Sequence, residues 1–161
     1  MDALNLKPTD AALIVAMNNA AVPNVNESTE AELADLIEMS GLTVAVTQGE
    51  DILGFVLTLP PGVGYGSENY RWFSERYDNF VYVDRIVVSE QARNRGVGVE
   101  LYRLVAEHAG NNGVPRILCE VNLEPPNPGS LRFHKRIGFA EVGEQRTKGG
   151  TYRVSLLAKE L

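Results

Sequence analysis

The chain opens on Ala3-Leu4-Asn5-Leu6, an apolar and polar alternation that predicts a short strand. Thr9 and Asp10 then offer an N-cap. Leu13, Ile14, Met17 and Ala21 recur at helical spacing, and Asn18-Asn19 and Pro23 close that helix. Ser28-Thr29 starts a second helix, because Glu32 stands three residues after Thr29 and can return a hydrogen bond to the cap. Leu33, Leu36 and Ile37 form its apolar stripe, and Gly41 stops it. The period then changes to two. Thr43 to Thr47 and Ile52 to Leu59 flank Gly49-Glu50-Asp51, which predicts a hairpin. Pro60-Pro61-Gly62 ends it, and Gly62 to Asn79 shows no period. That segment reads as a long irregular loop carrying Tyr65, Tyr70, Trp72, Phe73 and Tyr77, of the kind that often serves as a lid or binding loop.

Phe80 to Val88 is the strongest strand signal, dense in Val, Tyr and Ile. After Arg93-Asn94-Arg95-Gly96-Val97-Gly98, the positions Val97, Leu101, Leu104, Val105 and His108 predict one buried helix face that ends at Gly110 and Gly113. Arg116 to Val121 reads as a strand. Asn127 caps a last helix with Pro128 at its first position, and Gly138 ends it. Two strands close the chain, near Ala140 to Gln145 and Tyr152 to Ala158, with Gly149-Gly150 between them. The order βααββ, βαβα, ββ, with no repeat or linker, predicts one α/β domain over residues 1–161.

Composition narrows the classes. Apolar residues are 44% and charged residues 22% of the chain, an ordinary globular balance. No apolar run approaches the roughly 20 residues of a membrane-spanning helix. Met1 to Lys7 lacks the basic and apolar pattern of a secretory leader, so a cytoplasmic location is expected. The single cysteine, Cys119, excludes an internal disulfide and a multi-cysteine zinc site. A net charge of -6 speaks against nucleic-acid binding and weakly favours a cationic substrate.

Chemistry concentrates where strand Phe80–Val88 meets the next helix. A helix N-terminus presents unpaired N–H groups and a partial positive charge, which suit phosphate. Glycine lets the backbone approach an anion closely, and Arg93 and Arg95 add charged donors. The segment is neither a dinucleotide fingerprint, which needs a third glycine, nor a Walker loop, which needs Gly-Lys-Ser/Thr. By itself it is compatible with a plain strand-to-helix turn or with another phosphate ligand.

Context adds a resemblance. Arg93-x-x-Gly96-x-Gly98, following Val88, resembles the pyrophosphate motif Q/R-x-x-G-x-G/A of the GNAT acetyltransferases. Asn127-x-x-Ser130-x-x-Phe133-His134-x-x-x-Gly138-Phe139 is similar to that family's N-x-x-A-x-x-L/F-Y-x-x-x-G-F element. The resemblance runs from about residue 3 to the end of the chain. It implies the GNAT acyl-CoA N-acyltransferase fold, a twisted mixed sheet of about seven strands with about four helices, strands 4 and 5 splayed apart. It also implies an N-acetyltransferase that moves acetyl from acetyl-CoA directly to a primary amine in a ternary complex, without a metal. The amine would be a small molecule, an amino acid or a peptide N-terminus. Arg93, Asn94, Arg95, Gly96, Val97 and Gly98 would hold the pyrophosphate. Ile86, Val87 and Val88 would pair with the pantetheine arm. Asn127, Ser130 and Phe133 complete the expected cofactor set, and a homodimer is compatible with the family.

Catalytic roles follow from the reaction. The amine must lose a proton, the thioester oxygen needs a donor, and the thiolate benefits from a proton. The resemblance puts a backbone N–H near Val87 or Val88 at the oxygen. It places a tyrosine hydroxyl where this chain has His134, which could act as the acid or merely contact the cofactor. Asp84 is the expected base, on a strand face shared with Tyr82, Ile86 and Val88, and Glu120 is the reserve. Tyr82 or Tyr152 are further hydroxyl sources, and Cys119 with His134 is a covalent alternative. Tyr70, Trp72 and Tyr82 are expected at the acceptor. The departure at His134 also admits a second class, an acyl-CoA-binding sensor or interaction module without turnover.

Overall fold

The strongest alternating runs pair as neighbours. β2 (Leu42–Gln48) and β3 (Asp51–Leu59) form the hairpin that the Gly49 turn predicts, and β1 (Asp2–Asn5) pairs antiparallel along β2. β4 (Val81–Val88) continues the sheet antiparallel to β3. β5 (Arg116–Glu124), β6 (Ala140–Thr147) and β7 (Tyr152–Glu160) complete it in the order β1-β2-β3-β4-β5-β7-β6. Five α-helices connect the strands: α1 (Val15–Ala20), α2 (Glu30–Met39), α3 (Glu68–Ser74), α4 (Val97–Asn111) and α5 (Pro128–Arg136). The computed structural model describes residues 1–161. The mixed seven-stranded sheet agrees with the expected fold class, with five α-helices in place of about four.

The core has two halves, one on each face of the sheet. On one face, α1, α2 and α3 cover Phe55, Leu57, Phe80, Tyr82 and Leu118. On the other, α4 covers Val56, Val81, Val83, Ile117 and Cys119. The Thr29 capping box forms as its spacing predicts, with Thr29 Oγ1 accepting the Glu32 N–H at 3.1 Å and Glu32 Oε1 accepting the Thr29 N–H at 3.0 Å. Such a cap contributes about 1 kcal/mol.

Three local expectations change. The first predicted helix is a 3-10 turn over Pro8–Leu13 followed by the six residues of α1. Asn18 does not close that helix. It lies fully buried within α1 because its side chain bonds the Asn26 carbonyl and Asn19. The Gly62–Asn79 segment is not wholly irregular: α3 forms there, capped by Ser67 Oγ, which accepts the Tyr70 N–H at 3.2 Å. Seven residues are too few to reveal a helical period.

The third change lies in β4. Leu57 pairs with Arg85 while Thr58 pairs with Val83, so Asp84 is an extra residue, a β-bulge. Alternation therefore resets at Asp84. Tyr82 packs in the core half beneath α1 and α2, whereas Ile86 and Val88 pack against the α4 half, so these three do not share a face.

Gly54 of β3 seats α4 against the sheet. A β-carbon there would stand 2.7 Å from the Val87 carbonyl oxygen and 3.0 Å from Val97 Cγ1, and the carbonyl belongs to a strand that cannot yield cheaply. Gly54→Ala is expected to lower unfolding stability by about 1–3 kcal/mol and to displace the start of α4. Thermal denaturation and amide exchange in α4 check both effects.

Candidate active site

β4 and β5 run parallel but pair only at Val81–Ile117 and Tyr82–Leu118. Beyond Tyr82 they part. β5 meanwhile pairs with β7 along nearly its whole length. The opening joins a cleft of about 1200 Å³ that reaches both faces of the sheet.

The α4 side of this cleft is built for an anion. Asn94 (φ 64°) and Gly96 (φ 77°) take left-handed conformations that fold the chain sharply into α4. The first backbone bond of α4 runs from the Glu100 N–H to the Gly96 carbonyl. The N–H groups of Val97, Gly98 and Val99 precede it, as free donors at the positive end of a fifteen-residue helix. Gly98 must be small, since a β-carbon there would stand 3.0 Å from Phe133 Cζ of α5. Arg93, Arg132 and Arg136 line the same end. These residues fit a phosphorylated group: a cradle of amides, a glycine approach and arginines around it.

Of the expected cofactor residues, Ile86, Val88, Arg93, Asn94, Gly96, Val97, Gly98, Asn127, Ser130 and Phe133 all line the cleft. Two do not. The Arg95 guanidinium turns outward to the Gln48 carboxamide, and the Val87 side chain is buried in the core half beneath α1 and α2.

His134 is almost fully buried, and both its ring nitrogens are engaged. Nδ1 lies 2.7 Å from the Ser130 carbonyl oxygen, and Nε2 lies 2.7 Å from the Tyr102 hydroxyl. A carbonyl only accepts, so the ring proton is assigned to Nδ1 and the Tyr102 O–H donates to Nε2. Burial lowers the His134 pKa, keeping the ring neutral, although the Ser130 carbonyl opposes this. Burial likewise pushes the Tyr102 phenol well above its usual range. Cys119 is buried with its pKa driven up by desolvation, and neither nitrogen of His134 bonds it. Only the Tyr102 hydroxyl opposes that rise, and desolvation outweighs it, so the site does not stabilise the thiolate that the covalent alternative needs.

Across the gap lie the carboxylates. Glu120 of β5 accepts the Tyr82 O–H at 2.8 Å. Burial pushes its pKa up to about 8, and the charge of Asp84 adds to the rise, while Tyr82 and Asn69 moderate it. Asp84, with a side chain 6% exposed, accepts from Arg85 Nε at 3.2 Å. Burial raises its pKa, opposed by Arg85 and by the Tyr65 hydroxyl. Both carboxylates line the cleft, as do Tyr65, Asn69, Asn122, Lys148 and Tyr152 and the connection between α1 and α2.

The expected acceptor residues fall elsewhere. Tyr70 is buried, donating its hydroxyl to the Pro60 carbonyl at 2.6 Å. Trp72 packs over Gly143 of β6, with the Arg76 guanidinium 3.8 Å from its ring. Tyr82 supports Glu120 from the core. Tyr65, which belongs to the same aromatic segment, is the residue that reaches the cleft. Sequence reasoning missed Tyr102, Asn69 and Arg85. Tyr102 had a detectable signal, since it adjoins Leu101 on the buried stripe of α4.

Comparisons with known proteins point to the family that the two motifs resemble. A model described as the acetyltransferase (GNAT) family matches residues 14–139. A curated relative from Bacillus subtilis (strain 168), named as the uncharacterized N-acetyltransferase YobR, is 33% identical over 67 residues, covering 42% of this chain and 26% of its own length. The ribosomal-protein-S18-alanine N-acetyltransferase of Escherichia coli is similar in fold (TM-score 0.74, 18% identity, 99% of this chain and 92% of that one). So is Ard1 of Thermoplasma volcanium (TM-score 0.80, 15% identity, 99% and 97%). A third similar structure, of yncA from Salmonella typhimurium, includes its cofactor acetyl-CoA (TM-score 0.75, 15% identity, 100% and 94%).

The environment of Glu120 makes a stability prediction. Its native pKa of about 8 exceeds its unfolded value near 4.5, so between them the native state holds more protons than the unfolded chain. Its contribution is therefore fully present below the unfolded pKa and is lost as pH rises through about 8. Melting temperatures across this range should fall with pH more steeply in the wild type than in Glu120→Gln.

Proposed function

The chain belongs to the acetyltransferase (GNAT) family, and we propose that it transfers acetyl from acetyl-CoA to a primary amine by direct attack. The observation that carries this reading is the single cleft: an amide and arginine cradle on one face of the sheet joins a buried carboxylate pair on the other through the opening between β4 and β5. When bound, acetyl-CoA supplies an activated acyl group. The loop from Arg93 to Gly98 holds its pyrophosphate, and the parted edges of β4 and β5 offer peptide groups to its amide arm. The acceptor is a small amine, an amino acid or a peptide N-terminus.

Glu120 serves as the base. Its direct partner, the Tyr82 hydroxyl, is neutral, whereas Asp84 is held by the Arg85 guanidinium and is thereby a weaker base. A carboxylate with a pKa near 8 is matched to taking a proton from an amine. The kcat/KM profile should rise through pH about 8 in the wild type and lose that limb in Glu120→Gln. His134 acts as a positioning residue: its Nε2 holds the Tyr102 hydroxyl at the cleft, and the single Tyr102 O–H turns from Nε2 to the developing thiolate as the sulfur departs. Tyr102→Phe and His134→Ala should each lower kcat by about tenfold or more with little change in acetyl-CoA affinity by calorimetry. Parallel loss of both would assign the pair to structure alone.

The deciding experiment is release of free CoA thiol from acetyl-CoA over a panel of amines, amino acids and short peptides. Acceptor-dependent release supports the transferase. Tight CoA binding with no release would favour the binding-module reading, which the engaged ring of His134 keeps in view. Gly98→Glu, which places bulk and negative charge in the cradle, should abolish CoA binding in a folded protein.

A further inference from the structure

The connection between α1 and α2, residues 21–28, has no regular structure, yet it lines the cleft opposite the cofactor cradle. Backbone polar groups in such a segment need partners. The Asn26 carbonyl and the Ser28 hydroxyl of this segment, together with the Asn18 side chain of α1, converge on one side chain. Arg85 is 5% exposed, and its Nη1 donates to Asn18 Oδ1 at 3.1 Å, the Asn26 carbonyl at 3.0 Å and Ser28 Oγ at 2.7 Å. Asn18 and Asn19 reinforce the arrangement through the Asn26 and Ser28 backbone. The other edge of the same guanidinium, Nε, lies 3.2 Å from Asp84. Only the bulge at Asp84 lets Arg85 face this side, because strict alternation from Tyr82 would turn it towards α4.

A buried guanidinium loses its hydration, so it is a costly way to anchor a loop unless its position matters. An apolar contact would hold the segment without bringing a cation behind a cleft carboxylate. We propose that Arg85 is a positioning residue for the acceptor: it fixes residues 21–28 as one wall of the cleft and ties that wall to the carboxylate pair, so that the two are set as one unit. This rests on the acetyl-transfer reading above.

The charged and titratable groups around Asp84 are Arg85 on its own strand, Glu120 and Tyr82 at the gap, and Tyr65 from the loop before α3; Glu32 on α2 also feels Arg85. Removing the cation disfavours every state in which Asp84 is ionised. The first ionisation of the Asp84–Glu120 pair therefore moves up in pH when Arg85 is neutralised and stays in place when a lysine retains the charge.

Three variants separate the contributions. Arg85→Lys keeps the charge and loses the multiple donation. Arg85→Met loses both. Ser28→Ala removes one loop partner and leaves the ion pair. The probe acceptor is the amine with the highest turnover in the thiol-release panel. Arg85→Lys should raise the acceptor KM by roughly tenfold, with acetyl-CoA affinity by calorimetry within about twofold of the wild type, and Ser28→Ala should act in the same direction by less. Carboxyl-carbon NMR should show the first ionisation of the pair unmoved in Arg85→Lys and raised by about one pH unit or more in Arg85→Met. An unchanged acceptor KM in Arg85→Lys, or equal losses for both substrates, overturns the proposal. If the wild type acetylates no amine of the panel, the amine reading fails by itself. The Arg85 assignment is then decided without an acceptor: amide exchange in residues 21–28 should accelerate in Arg85→Lys and Ser28→Ala while α4 stays protected, and unaltered exchange or an unmoved titration in a folded Arg85→Met overturns it.

Discussion

Everything at this site depends on the parting of two parallel strands after two paired residues. β4 is held on its outer edge by β3, and β5 by β7, so each half of the sheet is satisfied without the other. The inner edges beyond Tyr82 are left with peptide groups that no neighbouring strand meets. A sheet does not leave such groups dry; they need water or a ligand. The same opening joins two environments that a continuous sheet would keep apart. Above it lie the α4 amides and arginines, and below it lie Glu120, Asp84 and the wall of residues 21–28.

The bulge at Asp84 is the second constraint, and it acts through parity. One additional residue in β4 moves Arg85 onto the face of Tyr82 and sends Ile86 and Val88 to the face of α4. Without it, the guanidinium would meet the α4 core half. With it, a single cation serves both the loop above α2 and the carboxylate beside it. This is local geometry at the scale of one residue with consequences across the cleft.

Much of this is legible in the amino-acid sequence itself. The strands, the Thr29 cap, the turn into α4 and the glycine cradle all come from short-range patterns, and these rest on the chemistry of adjacent residues. What stayed hidden was set at long range. The alternation of Tyr82, Asp84, Ile86 and Val88 looked regular because a bulge is defined by the partner strand, here Leu57 and Thr58. Trp72 looked like an acceptor contact because aromatic residues in an aperiodic segment carry no sign of direction. Its ring instead meets Gly143, which follows it by 71 positions. Tyr102 and His134 meet across 32 positions, so neither could announce the other.

The two hydroxyl pairs at the gap show how the site can keep charge low where water is scarce. Tyr82 donates to Glu120 below the opening, and Tyr102 donates to His134 above it. Each tyrosine is held far from ionisation by burial, and His134 is held neutral for the same reason. Fixed positive charge lies in the outer cradle, at Arg93, Arg132 and Arg136, at Lys148, whose ammonium donates to Asn26, and at Arg85, which Asp84 already neutralises. An anionic ligand tail is therefore drawn to one end and a cationic group towards the carboxylates at the other, while the narrow part between them presents neutral donors and acceptors. In a low-dielectric opening, such an arrangement strengthens each interaction with charge that develops there, and it does so without requiring a buried ion to be desolvated anew at each turnover.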